Sequence, residues 1–368
     1  MRSAELTEKI DTIILGGGIS GIYAAFLLAA EKKSYVLLEA RSRLGGRILS
    51  PEHQGYFTDL GPSWFWPAVN PRVKALVDSL GIQGYPQFET GFASFQARDG
   101  HVETIAGYPM EPPGWRIAGG MISLVNGLLA DISKDTIRLN HPVCEIKRQE
   151  SGVRVLVGRH DQKPFCCFEA SRLILALPPR LAASSILFTP DLSHDLTQSM
   201  LKASTWMAGH AKFFALYDRA NWIERGLSGQ GFSLCGPLGE IHDASGEKNT
   251  PKGITGFVGI PALRRIGKTN LEMIQAILSQ LAHIYGKEAG EPIRTYYQDW
   301  AKEEFTATEY DQWSVHNHPE FLPPSGEKST WDGILHFAGS ETADYFGGYL
   351  EGALQSAERA VLNIHDFV

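Results

Sequence analysis

Cysteine is scarce in this sequence of 368 residues, which contains four: Cys144, Cys166, Cys167 and Cys235. Their spacing matches no zinc-binding or redox motif, and we expect no metal site. Four cysteines in a chain of this length also cannot make the dense disulfide framework of a small secreted domain. The neighbouring pair Cys166-Cys167 lies in a run typical of a strand, so we interpret it as structural.

Long apolar runs and an excess of positive charge are absent as well. No apolar run reaches the roughly 18 residues that span a bilayer, and residues 1–9 lack the apolar centre of a signal peptide. The sequence has 34 Lys and Arg against 41 Asp and Glu, a net charge of −7, which disfavours nucleic acid and anionic membranes as partners. We therefore expect a cytoplasmic protein.

What the sequence does contain is a glycine-rich turn near its start. Residues 12–15 (TIIL) form an apolar run short enough for a strand buried on both faces. Gly16, Gly18 and Gly21 follow in the G-x-G-x-x-G spacing. In such a turn Gly16 allows the tight bend, Gly18 lets a pyrophosphate approach the backbone, and Gly21 lets helix and strand pack closely. We predict a helix over residues 20–30 whose N-terminus faces the pyrophosphate.

An acidic residue follows the second predicted strand of this unit. Residues 35–38 (YVLL) predict that strand, and Glu39 comes 18 residues after Gly21, where a carboxylate binds ribose hydroxyls and repels a 2′-phosphate. The order and spacing of the two strands, the glycines, the helix and the acidic residue favour a dinucleotide-binding βαβ unit over an ordinary βαβ unit with a glycine turn. The next segment, Leu44-Gly45-Gly46-Arg47, resembles the one that runs along the phosphates and flavin in FAD enzymes of the amine oxidase type, which favours FAD over NAD.

The middle and the end of the chain suggest a discontinuous architecture. Residues 56–67 (YFTDLGPSWFWP) are too aromatic for an exposed turn, so we predict that they line a cavity; the alternative is a packed loop. Residues 91–105 alternate around Asp99-Gly100 and predict a β-hairpin. A buried strand at residues 334–338, a glycine and a helix then repeat the pattern of the nucleotide unit. A nucleotide domain made of separate segments, with a second domain inserted, is therefore expected.

The C-terminal motifs make the family resemblance specific. Residues 336–343 (HFAGSETA) and 347–353 (GGYLEGA) resemble the flavin-binding segment of the flavin-dependent amine oxidases, which include the monoamine and polyamine oxidases. The resemblance extends from Thr12 to Ala360. Three shorter motifs support it: Gly119-Gly120 before a helix, Pro142-Val143 in a strand, and Ala176-Leu177-Pro178-Pro179, where the paired prolines end a strand.

The resemblance implies an α/β protein with a Rossmann-type FAD-binding domain assembled from discontinuous segments and a smaller α+β substrate domain with a mixed sheet. We expect residues 1–75, 118–203 and 298–368 in the FAD-binding domain and residues 76–117 and 204–297 in the substrate domain. Together with the glycine motif, it implies cofactor contacts from Gly16, Gly18, Ile19, Ser20, Gly21, Glu39, Ala40, Arg41, Gly46, Arg47, Gly61, Pro62, Ser63, Trp64, Val143, Trp300, Gly339, Ser340, Glu341, Tyr349, Leu350 and Ala353.

Three residues are candidates for the chemistry. Tyr349 matches the tyrosine of the family's final GY-x-EG motif, and the spacing from Trp300 puts Tyr310 at its partner tyrosine. In the family these two rings face each other in front of the flavin, and their faces suit an amine; the alternative for each is core packing. Lys212 interrupts the apolar run of residues 210–217 (HAKFFALY) and matches the lysine that holds a water at flavin N5. The alternative is a lysine on an edge strand facing solvent.

The sequence departs from the family in two places. Glu309 stands where monoamine oxidases have the cysteine that bonds to the flavin, so we expect non-covalent FAD. Only about forty residues separate Gly119 from the helix that follows Asp59-Leu60-Gly61, far fewer than in monoamine oxidases. The helical part of the substrate domain, which covers the site and in some relatives anchors to membrane, is therefore expected to be mostly absent, which leaves a more open pocket.

The resemblance therefore implies FAD-dependent oxidation of an amine. Hydride transfer to flavin N5 gives an imine that hydrolyses to an aldehyde or ketone, and oxygen re-oxidises the flavin with release of hydrogen peroxide. The expected partners are a small-molecule amine and oxygen; a homodimer is compatible with the sequence, which does not identify the amine. Two alternatives remain open. One is an FAD desaturase or dehydrogenase of the carotenoid or porphyrinogen type, which lacks the tyrosine pair and the lysine. The other is a flavoprotein without redox turnover.

Overall fold

A computed structural model gives the fold of residues 7–159, 161–248, 250–313 and 327–365. Most strands belong to two mixed sheets. The first sheet contains, in spatial order, β13 (Leu187–Thr189), β10 (Val143–Gln149), β11 (Gly152–Val157), β12 (Cys166–Leu175), β1 (Thr7–Leu15), β2 (Tyr35–Leu38) and β9 (Ile137–Arg138), and β19 (Leu335–Phe337) also pairs with β12.

The second sheet contains, in spatial order, β18 (Arg294–Asp299), β14 (Ala211–Tyr217), β17 (Lys252–Val258), β16 (Leu238–Asp243), β15 (Leu227–Ser233), β6 (Phe92–Gln96) and β7 (Val102–Ile105). Two small sheets pair β3 (Glu52–His53) with β4 (Tyr56–Phe57), and β5 (Gly84–Pro86) with β8 (Trp115–Ile117). The α-helices of the described ranges are α1 (Ile19–Ala30), α2 (Pro71–Ser79), α3 (Ile122–Leu129), α4 (Pro179–Ser185), α5 (His194–Lys202), α6 (Asn221–Glu224), α7 (Ala262–Arg265), α8 (Asn270–Tyr285) and α9 (Leu350–His365).

The predicted nucleotide unit is confirmed as β1, α1 and β2, with β1 parallel to both β2 and β12. Gly16 adopts a positive φ of 104°, a conformation that favours glycine. A Cβ atom at Gly21 would lie 1.9 Å from the Gly16 carbonyl oxygen, so only glycine lets the helix pack this closely on the turn. The predicted hairpin is confirmed as β6 and β7.

Both faces of the first sheet are buried, which explains its continuous apolar strands. Ile14 and Ile174 pack on one face against α1, α3 and α9, whereas Ile13 and Leu173 pack on the other against α4 and α5. The second sheet has a separate core, formed largely by β14, β16 and β17 with α8. The first sheet thus has a core on each face, and the second sheet has its own.

The strands of the two sheets come from interleaved parts of the chain. The first sheet takes its strands from residues 7–38, 137–189 and 335–337, and the second takes its strands from residues 92–105 and 211–299. The domain bounds given above stay a prediction; the one between residues 297 and 298 falls inside β18, which pairs with β14 up to Asp299. Of the helices in the described residues, none has the length and apolar character needed to cross a membrane.

Candidate active site

A long cavity lies between the two sheets and brings most of the predicted residues together. Of the residues predicted to contact the cofactor or to take part in the chemistry, those lining it are Gly16, Gly18, Ile19, Ser20, Glu39, Arg41, Gly46, Arg47, Gly61, Pro62, Ser63, Trp64, Lys212, Trp300, Gly339, Ser340, Tyr349, Leu350 and Ala353. Ala40 and Val143 line an adjoining cavity that shares Gly16, Glu39 and Arg41 with the first. Gly21 packs behind the turn, Glu341 is fully buried and Tyr310 lies elsewhere.

The N-terminus of α1 provides a cradle for a phosphate group. Gly18 precedes the helix without a side-chain cap, so the first N–H groups are available to an anion. A Cβ at Gly18 would come no closer than 4.0 Å to Gly46 Cα, so the space in front of Gly18 opens into the cavity. The turn and the helix therefore fit the pyrophosphate of a dinucleotide, as predicted.

Glu39 orders the turn from the opposite side. Its carboxylate is buried and accepts hydrogen bonds from the backbone N–H groups of Gly17 (2.7 Å) and Arg41 (2.8 Å). Each oxygen still has a lone pair that can accept a ribose hydroxyl. The adjoining cavity continues past Glu39 to Val143 and His141. The two cavities together form an elongated space whose donors, carboxylate and apolar walls fit a dinucleotide.

Arg47 and Glu341 fix the wall near the other end. The Arg47 guanidinium contacts both carboxylate oxygens of Glu341 (2.6 and 3.0 Å) and donates to Ser340 Oγ and the Trp206 carbonyl. Glu341 in turn accepts a hydrogen bond from Trp206 N–H (3.1 Å). Burial alone would raise the pKa of Glu341, but the Arg47 charge and these hydrogen bonds hold that pKa below its usual value. The ion pair of Arg47 and Glu341 thus holds the backbone of Trp206 at the cavity.

Lys212 reaches the cavity from the start of β14, where it is the second residue. It is 2% exposed, and its Nζ donates to the Gly61 carbonyl (2.8 Å) and to Ser63 Oγ. The rings of Trp64 and Phe257 lie 5.5 and 5.2 Å from Nζ. Lys212 therefore faces inward, not toward solvent as in the alternative given above. Burial lowers the pKa of Lys212 to about 7, so the neutral amine is well populated near neutral pH.

Aromatic rings surround Tyr349 at this end of the cavity. Tyr349 is 36% exposed, and its ring centroid lies 6.4 Å from that of Trp66 and 6.2 Å from that of Trp206. All three residues line the cavity, at separations usual for aromatic pairs. The prediction that residues 56–67 line a cavity is confirmed for Trp64, Phe65 and Trp66.

The predicted pairing of Tyr310 with Tyr349 is not found. Tyr310 lies in the 3₁₀ turn Glu309–Gln312, is 66% exposed and does not line the cavity. The next residue, Asp311, is buried and accepts hydrogen bonds from Arg180 Nη1 (2.6 Å) and Thr205 N–H (3.2 Å). With three residues per turn, an inward Asp311 directs its neighbour Tyr310 outward.

Trp206 and His210 are cavity residues that the sequence did not single out. Both precede Lys212 on the same segment. No sequence pattern marks Trp206, because its place depends on the distant pair of Arg47 and Glu341. His210 had a signal: it begins the run that contains Lys212 and lies two residues before it, a spacing that puts two side chains on the same face of a strand.

Comparisons with known proteins identify the family of this chain. The family model for flavin containing amine oxidoreductases matches residues 91–365, and that for NAD(P)-binding Rossmann-like domains matches residues 14–80. Probable flavin-containing monoamine oxidase A of Dictyostelium discoideum is 22% identical, over 98% of this chain and 98% of its own length. Putrescine oxidase of Kocuria rosea is 23% identical, over 98% and 96%. The first alignment runs over 464 positions, against 368 residues here, so that relative has segments that this chain lacks.

Solved structures show the same fold. A putrescine oxidase variant superposes with a TM-score of 0.80 at 22% identity, over 99% of this chain and 100% of that chain. Cyclohexylamine oxidase from Brevibacterium oxydans superposes with a TM-score of 0.79 at 21% identity, over 98% and 99%. The predicted α/β fold, with a Rossmann-like domain and a mixed-sheet domain, is confirmed. The chain belongs to the flavin containing amine oxidoreductase family.

Proposed function

We propose that this protein oxidises an amine with non-covalently bound FAD as the first electron acceptor and oxygen as the second. The observation that supports this most directly is that Lys212 and Tyr349 line the same cavity as Gly18 and Glu39. Bound FAD would accept a hydride, which carries two electrons, from the carbon beside the amine nitrogen. The α1 N-terminus, Glu39 and the adjoining cavity at Val143 would hold its pyrophosphate and adenosine.

The residues of this chain would bind and orient the substrate. The rings of Tyr349, Trp206 and Trp66 would keep water from the amine and offer their faces to its nitrogen. Lys212, held by Gly61 and Ser63, would when protonated bind a water or the incoming oxygen with its third N–H group, and when neutral would accept a hydrogen bond from a water with its lone pair. Its pKa of about 7 lets it hold or release a proton near neutral pH.

Anaerobic mixing with a panel of amines tests this function. A substrate should bleach the flavin absorbance, and admitting oxygen should restore it with one equivalent of peroxide. The Tyr349→Ala variant provides a control, because it should retain the flavin but be bleached more slowly. If no amine bleaches the flavin, amine oxidation is excluded, and a desaturase or a flavoprotein without turnover becomes the better hypothesis.

A second cavity supports a narrower substrate class. It shares Trp206, His210 and Phe257 with the first cavity, and Glu240 lies in its wall. The other charged residues in that wall are paired: Arg265 with Asp299 (2.7 Å) and Asp311 with Arg180 (2.6 Å). A hydrogen bond to His242 lowers the pKa of Glu240, whose side chain is 47% exposed. The wall thus offers a carboxylate and aromatic faces, which suit a second cationic group at the far end of the substrate.

Glu240→Gln tests this class. We expect kcat/KM to fall about 10- to 100-fold for a diamine, the loss expected for one charge-assisted hydrogen bond of about 1.5–3 kcal/mol. A monoamine of the same chain length should lose little, since its far end carries no charge. An equal loss for both substrates would mean that Glu240 acts on the site as a whole. If the wild-type protein oxidises the monoamine but not the diamine, amine oxidation stands as the function and a dicationic substrate is excluded.

A further inference from the structure

Lys212 and three other charged side chains lie buried in one region without pairing with one another. Lys212, Arg116, Asp59 and Asp243 are 2%, 4%, 2% and 1% exposed. Buried charges in proteins usually pair, yet no ion pair of the described residues joins any two of these four. Their hydrogen bonds go to neutral groups: the Gly61 carbonyl and Ser63 for Lys212, the Asp243 carbonyl for Arg116, Ser50 and Met121 for Asp59, and Trp222 and Ser245 for Asp243.

Arg116 is the cross-strand neighbour of Trp64, one of the two aromatic residues whose rings lie near Lys212 Nζ. Phe65 and Trp115 exchange two backbone hydrogen bonds (3.0 and 2.8 Å) in an antiparallel bridge. In antiparallel pairing the next residues on either side, here Trp64 and Arg116, lie opposite each other with side chains on the same face. The Trp64 ring is the one 5.5 Å from Lys212 Nζ.

A short hydrogen-bond network fixes this arrangement. Arg116 Nη1 (3.4 Å) and Gln87 Nε2 (2.8 Å) both donate to the Asp243 carbonyl, and Gln87 Oε1 accepts from Trp64 Nε1 (2.7 Å). Arg116 Nε is buried and makes no hydrogen bond within the described residues. Its guanidinium therefore brings a permanent charge into the protein interior with little local compensation.

We propose that Arg116 is a positioning residue that controls the protonation of Lys212. Its fixed buried charge, next to Trp64, disfavours a positive charge on the lysine amine and keeps that amine neutral. Two carboxylates act in the opposite direction, since Asp59 and Glu240 each favour the protonated lysine. His242 packs against Trp64 with ring centroids 4.9 Å apart, and Asp243 belongs to the same network. Without Arg116, only burial would oppose protonation.

The effect can be measured without any turnover. The importance of a neutral Lys212 for catalysis rests on the function proposed above, but its protonation also changes stability. The folded pKa of Lys212, about 7, lies below that of an unfolded lysine, about 10.4. Between these values unfolding takes up a proton, so the contribution of Lys212 to stability rises with pH across this window and is flat below it.

The experiment is urea unfolding of the FAD-bound full chain from pH 6 to pH 10, at fixed FAD concentration. It compares wild type, Arg116→Met and Arg116→Gln, each with Lys212 and with Lys212→Met. Arg116→Gln removes the charge but retains a donor for the Asp243 carbonyl, so it separates charge from hydrogen bonding. In both charge-removing variants we expect the rise in unfolding free energy that depends on Lys212 to begin about one pH unit higher than in wild type.

Three results would overturn the proposal. The first is a rise in stability that begins at the wild-type pH in both variants. The second is a pH-dependent effect of Arg116→Met that persists when Lys212 is Met, since Arg116 would then act through another group. A shift in Arg116→Met that is absent in Arg116→Gln would likewise assign the effect to the hydrogen bond and not to the charge. None of these outcomes depends on whether any amine is oxidised, so they are separable from a failure of the proposed function.

Discussion

At the scale of single residues, Lys212 joins the two halves of the site. It belongs to the second sheet, yet both of its hydrogen-bond acceptors, Gly61 and Ser63, lie on the loop after β4. Lys212→Met keeps length and bulk while removing the charge and the donor. We expect re-oxidation of the reduced enzyme by oxygen to slow at least about tenfold, a barrier increase of about 1.4 kcal/mol, because charge that develops on oxygen loses its donor.

The two half-reactions, measured separately by stopped flow, give the control for this prediction. Anaerobic reduction by the amine should change much less than re-oxidation in Lys212→Met. Equal losses in both would indicate a displaced flavin or substrate. Wild-type rates in both would return Lys212 to a purely structural role.

Tyr349 and Tyr310 form a matched pair of variants. Tyr349 lines the cavity between Trp66 and Trp206, whereas Tyr310 is 66% exposed on the surface. We expect Tyr349→Ala to slow flavin reduction by the amine, since one wall of the substrate site is lost, while FAD stays bound. Tyr310→Ala should leave the reduction rate within about twofold of wild type. A larger loss in Tyr310→Ala than in Tyr349→Ala would restore the pairing implied by the family resemblance.

These residues show what a motif can and cannot predict. Lys212 could be found because a lysine within an apolar strand is costly to bury without a function or a partner. The spacing from Trp300 pointed to Tyr310 as the partner tyrosine. It could not give the direction of the side chain, because that depends on the buried contacts of Asp311 with Arg180 and Thr205, which are far apart in sequence.

At the scale of elements, the βα turn is the part whose sequence specifies its structure most completely. Glu39 accepts two backbone hydrogen bonds across the turn from Gly17 and Arg41 and faces the cavity. We expect Glu39→Ala to weaken FAD binding by about 1.5–3 kcal/mol, the worth of charge-assisted contacts to the ribose. Titration of the apoprotein with FAD measures this directly, and an unchanged dissociation constant would contradict the assignment of Glu39.

The segment after Trp300 gives a prediction about the linkage to FAD. Glu309, which the family resemblance aligns with the tethering cysteine of monoamine oxidases, is exposed, and none of the four cysteines lines the cavity at Lys212. We therefore expect acid precipitation to release all of the FAD into the supernatant. Yellow flavin remaining with the pellet would disprove non-covalent binding.

Short elements with weak patterns were harder to predict than this unit. The paired prolines Pro178-Pro179 end the block of strands as expected, but they also begin helix α4 at Pro179, a position that tolerates proline because its N–H would be unsatisfied there anyway. Only part of the ten-residue strand β12 was evident, since Glu169 and Arg172 interrupt its apolar pattern. Its pairing with β1 on one side and β11 on the other is a tertiary constraint that no local pattern contains.

At the scale of the whole molecule, exposed aromatic side chains lie on the segment that leads to Tyr349 at the cavity. Tyr345 is 74% exposed, Phe346 is 42% exposed and Tyr349 is 36% exposed. An alignment longer than this chain agrees with the expectation that the helical part covering the site is reduced. The more open pocket expected from that short spacing stays a prediction, whereas the particular residues left exposed follow from the tertiary structure.

The parts of the fold that contain the two sheets meet at this cavity, and that arrangement predicts how FAD affects stability. The walls combine Gly18, Glu39 and Trp300 with Lys212 and Phe257 of the second sheet. A ligand that contacts both parts binds only when both are folded, and at a free concentration of 100 times its dissociation constant it stabilises by about 2.7 kcal/mol. We therefore expect both sheets to open together in the FAD-bound protein.

Hydrogen exchange of the backbone amides, with and without FAD, measures this coupling. In the FAD-bound protein, amides of β1 and β12 and amides of β14 and β17 should report one common opening free energy. In the apoprotein the two sets should separate, because each sheet retains its own core and loses the ligand that bridges them. If both sets keep the same protection after FAD is removed, the direct contacts between the two parts suffice to couple them, and FAD is not the link.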